Sequence, residues 1–164
     1  MIHNEIGLVH VIASVLALIT GTCLLLSKKG TKRHVRLGYV YVLSMVLLLG
    51  TAFSLYHLFG KWGIFHYMAI LSTVTLFMGM FPVIQKPRKP LSIYYHFSWM
   101  YWSVFGLYAA FTSEMLTRLP QTPFFGMVFF STFTIMAIGG FIFGIKKEKW
   151  KNEFSILERK TLKP

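Results

Sequence analysis

Six histidines carry most of the chemical potential of this sequence. It has no aspartate, one cysteine (Cys23) and only five acids, Glu5, Glu114, Glu148, Glu153 and Glu158. Imidazole is the commonest metal ligand, a frequent axial ligand to haem iron and a proton carrier near neutral pH. His10, His57 and His66, with Glu114, offer three nitrogens and a carboxylate, a set suited to zinc, copper or iron. His34 and His96, from two different apolar segments, offer the pair of nitrogens that can grip one haem iron from both sides. His3 and Glu5 precede the first segment. The spacing matches no H-E-x-x-H, C-x-x-C-H or H-x-x-x-H motif. The grouping therefore depends on what the chain does between the histidines.

Between them lie five apolar stretches, at about 6–26, 37–59, 64–84, 93–113 and 124–145. A membrane-spanning helix needs about 20 mostly apolar residues. The composition agrees with lipid as the solvent: 55% of residues are hydrophobic and 13% charged, where soluble domains carry about 25% charged residues. The expected fold is an all-α polytopic bundle of five transmembrane helices over 1–145, followed by a basic amphipathic tail over 146–164. In that tail Trp150, Phe154 and Leu157 recur at helical spacing among lysines, as in a helix lying on a membrane surface. A disordered anchoring tail is the alternative. The first run lacks a basic leader and a small-residue cleavage pattern, so a retained helix is expected.

The basic residues set the orientation. Fifteen of the seventeen Lys and Arg fall in the first and third connections and the tail; Lys61 and Arg118 lie in the other two. The positive-inside rule puts the crowded side in the cytoplasm and the N-terminus outside. This places His10, His57, His66 and Glu114 near the outer face, and His34 and His96 near the inner one. Trp62, Trp99, Trp102, Tyr94 and Tyr95 fall near the interfaces, where amphipathic rings favour headgroup depth.

Several functions are set aside. The net charge of +12 sits in short clusters between apolar runs, so it reads as topology and contact with anionic headgroups, not as nucleic-acid binding. Phosphate loops and the G-x-S-x-G elbow are absent, and a Ser–His–Asp triad cannot form without Asp. No carboxylate stands mid-span to couple ions to transport.

Two stretches resemble a known family. His34-Val35-Arg36-Leu37-Gly38-Tyr39-Val40-Tyr41-Val42 resembles an H-R-x-L-G-x-x-Y-V pattern. His96-Phe97-Ser98-Trp99-Met100-Tyr101-Trp102-Ser103 resembles H-R-x-W-M-x-R-S. Both patterns are those of a family of bacterial membrane proteins called domain of unknown function 2306, whose members also tend to carry a histidine where His10 stands. The resemblance covers about residues 9–114. It implies helices presenting histidines near both faces, a plan similar to small membrane b-type cytochromes. The chain departs from the patterns: the first arginine is displaced to Arg36, and Phe97 and Trp102 replace the two arginines of the second. Lys32 and Arg33 are candidates to take over a contact with an anionic group such as a haem propionate.

The leading expectation is a small b-type haem or metal-binding electron-transfer protein of the bacterial cytoplasmic membrane, with a redox partner. His34 and His96 would hold haem b, with Arg36, Trp99, Trp102, Tyr94 and Tyr95 around it. His10, His57, His66 and Glu114 would hold zinc or copper. The alternatives are a non-catalytic accessory subunit of a larger membrane complex, with structural histidines, and a zinc-dependent membrane hydrolase with Glu114 as base.

Overall fold

The computed structural model describes residues 5–55, 60–85, 91–119 and 123–162. All regular structure among them is helical: α1 Glu5–Leu26, α2 Lys32–Ala52, α3 Ile64–Ile84, α4 Ser92–Leu116 and α5 Phe124–Leu162. Helices satisfy every internal backbone N–H and C=O within themselves, which an apolar solvent demands. Helices α1, α2, α3 and α5 are long and apolar enough to cross a membrane. Helix α4 has the length, 25 residues or about 37 Å at 1.5 Å per residue, but its Tyr, Trp, Ser and His side chains keep it out of that set. Large apolar side chains are exposed along the helices, Phe129 and Phe141 at 72% and Leu71 at 64%. A water-soluble monomer does not tolerate such patches, whereas lipid tails solvate them. The protein is a polytopic helical membrane protein.

The chain divides into two compact units, Met1–Thr73 and Val74–Pro164, where the sequence suggests one bundle. In the first, α1 packs on α2. Helix α1 buries Ala13, Ala17 and Gly21, four residues apart, and α2 buries Tyr41, Ser44, Met45 and Leu48. Small residues at this spacing allow close helix approach in lipid. The turn between the helices has two built ends. The Lys29 ammonium donates to the carbonyls of Leu24 (2.8 Å), Leu25 (2.9 Å) and Ser27 (2.8 Å), covering acceptors that the end of α1 leaves open. Half-burial pulls this amine below the usual lysine range. Thr31 then caps α2, its Oγ1 accepting the His34 N–H at 3.1 Å. That cap explains why α2 begins at Lys32 and not at 37: the helix starts in the basic segment, before the apolar run. It ends earlier than expected, at Ala52.

In the second unit α4 and α5 run antiparallel over the whole of α4. Ser113 bonds Ser131 (2.7 Å) and Thr132 (3.1 Å), and the Tyr101 hydroxyl donates to the Gly139 carbonyl (2.9 Å). The Phe97 ring lies 4.9 Å from Trp150 and 4.7 Å from Phe154, and the Leu91 N–H donates to Glu158. Helix α5 therefore does not stop at 145. It continues as one helix to Leu162, through a stretch without Gly or Pro, and Trp150 and Phe154 of the expected tail face α4. Of the stripe Trp150, Phe154 and Leu157, the first two thus make a helix–helix contact.

Candidate functional site

His96 stands one turn inside α4, and its Nδ1 lies 2.7 Å from the carbonyl oxygen of Gly79 on α3. A carbonyl only accepts, so Nδ1 carries the proton and Nε2 carries the lone pair. The local sequence explains the contact. Pro82 sits inside α3, and its missing N–H would have gone to the Met78 carbonyl, so the helix ladder is interrupted one residue before Gly79, and interrupted turns in lipid take donors from neighbouring helices. Gly79 is needed for the approach. A Cβ there would meet Met100 Sδ at 2.6 Å and the Met100 backbone nitrogen at 3.3 Å.

The remaining residues of the expected inner site are placed as follows. His34 is half-buried at the third position of α2, beside its Thr31 cap, and Arg36, two residues on, is exposed. Trp99 is 36% exposed; Tyr94 and Tyr95 have ring centroids 5.9 Å apart. His34 and Arg36 belong to the first unit, and His96 and Trp99 to the second.

Of the outer group, His57 lies outside the described residues. His10 joins α1 to α2: its Nδ1 is 3.0 Å from Thr51 Oγ1. The Thr51 oxygen also lies 2.8 Å from the Leu47 carbonyl and 2.9 Å from the Leu48 carbonyl; with its single proton shared between these two acceptors, it accepts the His10 Nδ1–H, and Nε2 then carries the lone pair. His66 has the opposite tautomer. Its Nδ1 accepts the Gly63 N–H at 3.2 Å, closing the first turn of α3, which puts the neutral ring's proton on Nε2. The ring is 5% exposed and stacks on Trp62 at 5.2 Å. Glu114, in the last turn of α4, accepts at 2.7 Å from Arg118, two residues past the end of that helix in the second unit. Among the described residues, no three of His, Cys, Asp and Glu gather closely enough to hold a metal ion.

Sequence reasoning missed Gly79, Thr51 and Glu158 as partners. Thr51 falls eight residues inside the expected run, and it meets His10 near the start of α1 because α2 ends at Ala52. The Gly63–His66 spacing of three is also a capping distance.

Residues 7–148 match the family model described as Predicted membrane protein (DUF2306). No curated protein and no solved structure matches the chain. The family match covers α2, α3, α4, most of α1 and α5 up to residue 148, and includes both histidine-bearing motifs. The chain belongs to the DUF2306 family of predicted membrane proteins.

Proposed function

We propose that this protein binds haem b near its cytoplasmic face and passes electrons to a redox partner in the bacterial cytoplasmic membrane, N-terminus outside and tail inside. The observation that carries the reading is the contact of His96 Nδ1 with the Gly79 carbonyl. A ligating histidine generally donates its second N–H to a carbonyl or carboxylate, which fixes the ring and raises its basicity. His96 does this toward Gly79, and so presents Nε2 as a base. On the sequence motif alone, His34 is the candidate for the second nitrogen. Trp99, Trp102, Tyr94 and Tyr95 would form the apolar wall, and the exposed cations Lys32, Arg33 and Arg36 would meet anionic groups at its edge. A bound haem would supply one-electron exchange; the protein residues set its ligation, burial and charge environment.

A second reading suits the outer group. His66 serves as a helix cap and His10 as a helix–helix tie, the roles expected in a non-catalytic subunit of a larger complex. Zinc or copper on His10, His57, His66 and Glu114 is weakened by the proton on His66 Nε2. A zinc hydrolase is weakened further because Glu114 is paired with Arg118. The test is cofactor content of the purified protein and of His34→Ala, His96→Ala and His66→Ala. Haem lost in the first two and kept in the third supports the inner site. Equal haem content in all of them removes it.

A further inference from the structure

We infer that the extension of α5 beyond residue 145 is a clamp that positions the turn of α4 carrying His96, with Glu158 and Phe154 as its positioning residues. The start of α4 lacks a cap of its own. Its N-cap is Leu91, held at φ 65 and without a side-chain hydrogen bond. Leucine offers no acceptor to the open N–H groups of a helix start, and an L-residue rarely adopts this φ. The acceptor arrives from 67 residues away: Glu158 Oε2 takes the Leu91 N–H at 2.7 Å. Glu158 is 5% exposed, and its carboxylate sits at the positive end of the α4 dipole. Six residues on, Phe97 lies between Trp150 and Phe154, and Ser92, between the two contacts, is buried. The turn is thus held at both ends by α5, while His96, projecting from it, reaches the Gly79 carbonyl on α3. Fixing the turn fixes the ring, and with it which nitrogen is presented.

The relevance of His96 to a cofactor rests on the proposed function; the clamp itself does not. The test therefore reads the polypeptide. Hydrogen exchange along α4 and the imidazole nitrogen resonances of His96 are measured on the full chain in detergent. The variants are Glu158→Ala, Glu158→Gln and, as a control on the same helix, the exposed Glu148→Ala. Glu158→Ala is expected to speed exchange in 91–97 by tenfold or more, to leave 103–113 unchanged, and to abolish the His96 Nδ1–H signal. Glu158→Gln keeps an acceptor oxygen and should restore most of both; Glu148→Ala should match wild type. Unchanged exchange and an unchanged His96 signal in Glu158→Ala would overturn the clamp, as would equal loosening of all of α4. If Glu158→Ala does not fold, Phe154→Leu provides the same comparison of local and global loosening. A cofactor-free wild type that passes this test retains the clamp and loses only the haem reading.

Discussion

The Nδ1–H of His96 donates to the carbonyl of Gly79 at 2.7 Å, so one backbone oxygen on α3 decides which nitrogen of a histidine on α4 can act as a base. The close approach beneath this bond depends on the missing side chain of Gly79. In Gly79→Ala the methyl would meet Met100 Sδ at 2.6 Å and its backbone nitrogen at 3.3 Å. The thioether can swing away; the backbone must shift. The expected cost is about 1–2 kcal/mol, read as a lower midpoint of thermal unfolding in detergent, together with a weakened His96 Nδ1–H resonance. A variant with wild-type stability and resonance would show that the approach has slack.

Neighbouring glycines on α5 make a matched pair. A Cβ on Gly139 would lie 2.5 Å from Phe105 Cδ1, whereas one on Gly140 would meet only Trp102 at 3.8 Å, an ordinary contact. Gly139→Ala should therefore destabilise the α4–α5 pair by about 1–3 kcal/mol. Gly140→Ala should be neutral, or stabilising by up to about 1 kcal/mol through helix propensity. Unfolding in mixed detergent would separate the two, and equal effects would count against this α4–α5 register.

Leu91 holds a left-handed conformation at the mouth of α4. Glycine occupies that region without the side-chain penalty, which for other residues is roughly 1–2 kcal/mol. Leu91→Gly keeps the N–H that Glu158 accepts, so it should raise stability by up to about 1 kcal/mol after the loss of apolar contact. A fall in the thermal midpoint would mean that the leucine side chain matters more than its backbone strain.

Lys29 closes the end of α1 through three carbonyls, while its neighbour Lys28 is exposed. Lys29→Met should cost about 1.5–3 kcal/mol, the range of hydrogen bonds to charged groups set against water. Lys28→Met should cost almost nothing. Thermal unfolding of the two variants compares the cap with a charge of the same sign one residue away.

The helices were legible wherever the solvent changed abruptly. Helix α3 occupies 64–84 as read from sequence, because a short glycine-bounded turn and a proline-rich connection flank its apolar run. Hydropathy reports the lipid-facing stretch and not the hydrogen-bonded helix, which is why α2 starts five residues early, at its Thr31 cap, and α5 runs on past Ile145. The periodicity of Trp150 and Phe154 was visible, but nothing local names Phe97 as the surface they cover. The Glu158–Leu91 bond was out of reach for the same reason, since its partners are 67 positions apart and leucine carries no polar signal. For the histidines the sequence supplied residue type and depth. Tautomers depend on partners such as Gly79, Thr51 and Gly63, and only the fold supplies those.

The most direct test of the account is the absorption spectrum of the detergent-purified protein, oxidised and then reduced with dithionite, with metal analysis on the same sample. Expression must be supplied with haem precursor and metals. The account expects a Soret band that sharpens and shifts on reduction, with iron near one equivalent and both signals lost in His96→Ala. A colourless, iron-free protein from such cells would contradict it and leave the imidazoles as the caps and ties that His66 and His10 already are.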